Sequence, residues 1–231
     1  MLEQAFEALK TYDWGVDKKV LKPIDEQVVA THGDEAARAD LEAKLAAVLK
    51  SDVPRDAKDY VCRKLMVIGT AACVPTLAEQ LPNPEMSHMA RYALERIPAP
   101  AAAKALRDAL PKVDNSLKIG VISSLGVRQD ADSVPLLQGL LADDDADVAR
   151  AAAYGLGAIR SAAAATALAN GKPSDAVKPA VADASLACAE TLLADGKNAE
   201  ALAIYKGLVS NPAKHVKLAA TRGMLACAGK K

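Results

Sequence analysis

The fold turns on one stretch: Ser133-Val134-Pro135-Leu136-Leu137-Gln138-Gly139-Leu140-Leu141, then Asp143-Asp144-Asp145, then Asp147-Val148-Ala149-Arg150-Ala151-Ala152-Ala153-Tyr154-Gly155-Leu156-Gly157-Ala158-Ile159. Val134, Leu137 and Leu141 share one helical face, and so do Val148, Ala152, Leu156 and Ile159. Pro135 falls in a first turn, where its missing N–H costs nothing. Asp130 or Asp132 can start the first helix, and the aspartate run closes it and caps the second. The stretch therefore reads as a helical hairpin.

The hairpin repeats outward along the chain. Val74-Pro75-Thr76-Leu77 returns as Val134-Pro135-Leu136-Leu137. Leu77/Leu81, Leu106/Leu110 and Leu137/Leu141 form one ladder. Leu65, Leu94, Leu125, Leu156 and Leu186 form a second, and Ile68, Ile97 and Ile159 a third. All three keep a step of about 30 residues, the length of one helical hairpin. A lone hairpin cannot bury its apolar faces, but stacked hairpins share a continuous core. The spacing predicts an all-α chain, a right-handed α-solenoid of about seven hairpins. Its helices are expected near 2–11, 17–31, 36–50, 55–69, 73–81, 86–97, 100–110, 115–127, 132–142, 146–159, 161–169, 176–194, 199–209 and 213–228. Pro23 calls for a kink or a late start in the second. No linker stands out, so residues 1–231 are expected to form one repeat domain, most regular over 36–170.

Composition agrees and narrows the function. Fifty of the 231 residues are alanine and only 3% are aromatic. Alanine is the best helix former, whereas sandwiches and barrels lean on β-branched and aromatic residues. Net charge is zero, and the excess runs from −3 over residues 1–50 to +4 over 176–231 without a Lys/Arg run. Nucleic-acid binding needs a concentrated basic footprint, so no nucleic-acid partner is expected. No apolar stretch reaches 18 residues, so no membrane insertion is expected. Cys62, Cys73, Cys188 and Cys227 lie among alanines and leucines and read as small buried hydrophobes. A Cys62–Cys73 or Cys188–Cys227 bridge is the alternative. Met1–Lys10 is amphipathic and lacks the form of a signal peptide. The compartment stays open, cytoplasmic or exported after loss of a leader.

The two segments of the opening stretch resemble the short HEAT-like repeats also found in phycobilin lyases, over roughly residues 36–170. Residues 176–228 add tetratricopeptide-like hairpins. Ala194-Asp195-Gly196-Lys197-Asn198-Ala199-Glu200-Ala201-Leu202-Ala203-Ile204-Tyr205 is similar to a tetratricopeptide helix junction, which implies Gly196 at the turn and Ala201 and Tyr205 against the preceding helix. Cys62-Arg63-Lys64-Leu65 with Ile68-Gly69-Thr70, and Ser87-His88-Met89-Ala90-Arg91-Tyr92-Ala93-Leu94-Glu95, look like the HEAT arrays of Planctomycetes and Verrucomicrobia. There such arrays often precede a hydrolase-like or cytochrome-like domain in an exported protein. The close at Gly229-Lys230-Lys231, without a polar capping helix, leads us to expect a fragment of a longer array.

The motifs that carry chemistry are missing. HEAT-like deoxyhypusine hydroxylases hold iron through His-Glu pairs, but His32, His88 and His215 precede Gly33, Met89 and Val216. An EF-hand starting at Asp143 would need Gly and Glu where Val148 and Tyr154 stand. Gly155-Leu156-Gly157 ends a helix and reads as close helix packing. No metal, no cofactor and no catalytic residue is expected. A bilin-lyase pocket using Cys62 or His88 has nothing else pointing to it.

One constellation is a candidate binding surface. His88, Arg91, Tyr92 and Glu95 fall at i, i+3, i+4 and i+7 of one helix, with Arg63 and Tyr60 at near-equivalent places one repeat earlier. Second helices of such hairpins usually line the concave side, and Arg and Tyr are favoured interface anchors. The bland alternative is a solvated face with an Arg91–Glu95 pair. Trp14 with Tyr12 is a second candidate, or packs the first hairpin's loop on its neighbour. The expected function is a non-catalytic scaffold that binds a protein or peptide, monomer favoured. The alternatives are a spacer in a larger exported protein, or a lyase or hydrolase accessory with His88 as acid/base.

Overall fold

The computed structural model describes residues 1–229. Among these the chain is all helical, with fourteen α-helices and no strand. They are α1 (Leu2–Ala8), α2 (Lys22–Ala30), α3 (Glu35–Leu49), α4 (Arg55–Ile68), α5 (Val74–Ala78), α6 (Ser87–Arg96) and α7 (Pro100–Ala109). There follow α8 (Asn115–Val127), α9 (Val134–Leu140), α10 (Ala146–Ile159), α11 (Ala162–Asn170), α12 (Lys178–Ala194), α13 (Asn198–Leu208) and α14 (Lys214–Cys227). Consecutive helices pack as hairpins, α1 on α2, α3 on α4 and α5 on α6, then α9 on α10, α11 on α12 and α13 on α14, as in an α-solenoid.

Every expected helix is present, with shorter cores where the chain must turn. The 2–11 helix is α-helical to Ala8 and ends in a 3-10 turn over Leu9–Thr11. The 17–31 helix starts late, as Pro23 requires: Lys18–Leu21 is 3-10, and Pro23 takes the first turn of α2. Pro75 and Pro135 sit in the first turns of α5 and α9. The Asp145 carboxylate caps α10, accepting from the backbone N–H groups of Asp147 at 2.9 Å and Val148 at 3.3 Å.

The chain divides into two compact units, Met1–Val121 and Ile122 onward, with the boundary inside α8. In the first unit α3, α5 and α7 form one layer, and α4 packs on α6 in the other. In the second, α9 packs on α11, while α10 packs on α12 and α12 on α14. All three ladders point inward: Leu65, Leu94, Leu125, Leu156 and Leu186 are buried, as are the paired leucines and Ile68, Ile97 and Ile159.

Small residues set the spacing in the second unit. A Cβ on Gly157 would meet the Ala184 Cβ at 2.8 Å, and one on Gly155 would meet Ile122 at 2.9 Å. The Gly155-Leu156-Gly157 stretch is thus close helix packing, against α8 on one side and α12 on the other. Gly196, at φ 76°, turns the chain between α12 and α13. Only glycine takes that conformation without strain. Ala201 and Tyr205 are buried with Leu186, Ala189 and Leu192 of α12 and Val216 and Ala220 of α14.

The cysteines are free thiols, with Cys62, Cys73 and Cys188 buried and Cys227 half-buried. Burial pushes the Cys62 thiol up to about 12. Cys73 is also raised to about 12, by burial and then by the Glu42 carboxylate, and Cys188 to about 11 by burial. Thiolate is the reactive form, so these three stay protonated at pH 8. Ellman's reagent is expected to label Cys227 alone in the native protein and all four thiols in denaturant. More than one fast thiol would contradict the packing.

Two glycines give opposite expectations. A Cβ on Gly223 of α14 would collide with the buried Tyr205 ring, whereas one on Gly207 of α13 meets nothing within 4 Å. Overpacking a filled core costs about 1–3 kcal/mol, and Gly→Ala in an open helix interior gains about 0.5–1 kcal/mol. In urea unfolding, Gly223→Ala should lower the midpoint and Gly207→Ala should raise it.

Candidate functional site

The residues singled out in sequence lie on α4 and α6, adjacent second helices of the first unit. Inward ladder positions fix which way the rest face. With Leu65 and Leu94 buried, Arg63 and Tyr92, each two residues earlier, hold matching positions on the two helices. Arg63 and His88 are exposed, and Arg91, Tyr92 and Glu95 are half-buried.

On α6 the groups form a stack. The His88 and Tyr92 rings lie nearly parallel, 11° apart with centroids at 6.5 Å. The exposed Arg96 guanidinium lies over the same Tyr92 ring, 5.7 Å from its centroid. Arg91 leans a different way. Its Nη1 donates to the Gly120 carbonyl of α8 at 3.0 Å, and Nη2 comes within 3.5 Å of His88 Nδ1. A Cβ on Gly120 would lie 2.5 Å from the guanidinium, so the glycine is the seat on which it rests. Burial lowers the Arg91 pKa and the Glu95 charge opposes that shift. Arg91 thus clamps α6 to α8, a tie within the fold.

On α4, Arg63 is held by Asp59 Oδ1 at 3.2 Å and lies 5.9 Å over the Trp14 ring. Trp14 is 49% exposed, stands edge-on to the buried Tyr12 at 5.7 Å, and its backbone N–H donates to Asp56 at 3.3 Å. It joins the loop after α1 to α4, as the packing reading of Trp14 has it, and leaves half its surface open. Tyr60 is buried rather than facing out with Arg63. Its hydroxyl donates to Asp25 of α2 at 2.7 Å, and the Asp25 carboxylate also pairs with Lys64 at 2.5 Å. Burial, then the Asp25 bond, raises the Tyr60 pKa.

Three features were not singled out in sequence. Arg96 extends the α6 stack, and the i, i+4, i+8 spacing of His88, Tyr92 and Arg96 was the signal for it. Glu42 of α3 is buried and accepts from Thr70 N at 2.7 Å, Thr70 Oγ1 at 2.8 Å and Cys73 N at 3.1 Å. It satisfies the loop that leads into α5, and nothing in its local pattern marks it as buried. An open apolar groove of about 520 Å³ lies between α1 and α3, lined by Leu2, Phe6, Leu9, Val48 and Val53. It is away from the α4–α6 surface. Among the described residues no three His, Cys, Asp or Glu side chains gather as a metal site needs, and no helix is long and apolar enough to cross a membrane.

A family model for HEAT repeats matches residues 112–187, about a third of the chain. Over that segment the chain resembles HEAT repeats. No curated protein matches it. Similar solved structures include an engineered protein, 18% identical, with 100% of this chain and 69% of that chain covered and a TM-score of 0.48. A second engineered protein and human deoxyhypusine hydroxylase in complex with glycerol are each 16% identical, over 99% of this chain and 96% of theirs, with TM-scores of 0.38.

Arg91 and an ordinary surface cation, Lys104, are separable by stability. Arg91→Ala removes a partly buried charged hydrogen bond, a loss of about 1.5–3 kcal/mol. Lys104→Ala removes an exposed i, i+4 ion pair with Asp108, a loss of about 0–1 kcal/mol. Thermal unfolding should show a clear drop for the first and almost none for the second. Equal drops would contradict the clamp.

Proposed function

We propose that the chain is a non-catalytic scaffold module that holds a protein or peptide segment against the α4–α6 surface of its first unit. The observation that carries this is the row of planar and cationic groups left open there: Arg63 of α4 beside Trp14 of the loop after α1, and His88, Tyr92 and Arg96 stacked on α6. Aromatic and guanidinium groups give large contact area at little entropic cost. Arg91 and Glu95 belong to the same surface and shape it from its half-buried edge.

His88 supports binding over catalysis. Its ring has a guanidinium at one nitrogen and an aromatic neighbour. A general acid or base is usually oriented by a carboxylate, which that arrangement does not supply. The reading takes residues 1–231 as one HEAT-like array, with tetratricopeptide-like hairpins over 176–228 supported by the turn at Gly196 and the burial of Tyr205.

The test is affinity capture from the source organism, with wild type beside Tyr92→Ala/Arg96→Ala. Arg91, which holds α8, and Arg63, which pairs with the buried Asp59, are left intact so that the fold is not disturbed. A protein held by wild type and lost by the variant, then confirmed by titration with the purified partner, is the expected result. Equal capture by both, or none by either, would sink the proposal in favour of a spacer.

A further inference from the structure

We infer that the outer face of α14 is a docking site for an acidic amphipathic helix of a partner protein, separate from the α4–α6 surface. The inner face of α14 is committed: Val216, Ala220 and Gly223 are buried, packed toward Tyr205 of α13. That fixes what points outward. At 100° per residue, Leu218 and Leu225 lie in the middle of the opposite face, with Lys217 on one flank, Arg222 on the other and Lys214 at the N-terminal end. All five are exposed, and the two leucines keep 53% and 49% of their surface open.

The charges on this face are uncompensated. Alone among the helices, α14 has more than one cation and no carboxylate. Among the described residues, Lys214, Lys217 and Arg222 form no ion pair. The nearby acid on α12, Asp183, is taken by His215, whose Nε2 lies 3.1 Å from Oδ1. Some surface cations elsewhere are answered within their own helix, as Lys104 is by Asp108 and Lys44 by Asp40.

An apolar stripe between two cationic rails defines its complement. Leu218 and Leu225 are seven residues apart, about 10.5 Å along the axis. A partner helix with apolar residues at i and i+7 meets both. Carboxylates beside that stripe would then face Lys217 and Arg222. Charge complementarity sets the orientation and the leucines supply the area. A bilayer fits less well, since α14 is held by its inner face and can offer a membrane only one narrow stripe.

The probe is a synthetic helical peptide with leucines at i, i+3 and i+7 flanked by glutamates, titrated by anisotropy against the full chain. Saturable binding that weakens with added salt is expected. Lys217→Glu/Arg222→Glu and Leu218→Gln/Leu225→Gln should each weaken it at least tenfold while leaving the thermal midpoint unchanged. A peptide with lysines in place of the glutamates should bind the charge-reversed variant and not wild type. Absence of binding, equal binding of both peptides, or binding untouched by both double variants would overturn the assignment. So would preferential sedimentation with vesicles containing phosphatidylserine, or self-association of the chain through this face.

Discussion

Each hairpin depends on its neighbour to cover an apolar face that it cannot cover itself. A two-helix unit of about 30 residues has too little interior to be stable alone. The ladder leucines are where that dependence is discharged: Leu65, Leu94, Leu125 and Leu156 are fully enclosed although each belongs to a different hairpin. The enclosure demands close second helices, and close helices demand small side chains. Gly157 on Ala184 meets that demand between α10 and α12. The abundance of alanine is therefore a packing requirement as much as a helical preference.

Apolar stacking leaves polar backbone exposed at corners and seams, and single side chains from neighbouring elements repair it. Glu42 reaches from α3 to the loop before α5 and satisfies two backbone N–H groups and a hydroxyl. Arg91 reaches from α6 to a carbonyl of α8. Tyr60, Asp25 and Lys64 join α4 to α2. Removing one partner from such a tie strands the others in a poorly hydrated place, which costs more than the bond itself contributes. These ties add direction to a core whose leucines have none.

The same distinction explains what was legible in sequence. The ladders have a period, and every ladder position was readable because burial recurs with that period. Pro23, Pro75 and Pro135 were readable because proline constrains its own turn. Ties across the chain have no local signature. Glu42 is buried by Thr70 and Cys73, residues far off in sequence, and its neighbours Asp40 and Lys44 form an ordinary exposed pair. Arg91 looked like an outward anchor because helical spacing places it with His88 and Tyr92. Its length lets the guanidinium lie down on Gly120, and only the neighbouring helix shows that a glycine waits there. Spacing gives the face on which a side chain starts, but not where a long one ends.

Function in such an array must reside in positions that escape the repeat. Two residues before each ladder leucine the chain carries Arg63, Tyr92, Ser123, Tyr154 and Ala184 in turn, while the leucines themselves do not change. Packing cannot account for that variety, because the first four are exposed or half-buried. The α14 face departs in another way, by keeping leucines outward and cations without acids. A fold built from one repeated solution leaves its surface free to differ from hairpin to hairpin. The places where it differs most sharply, in charge and in aromatic content, are where a partner has something to recognise.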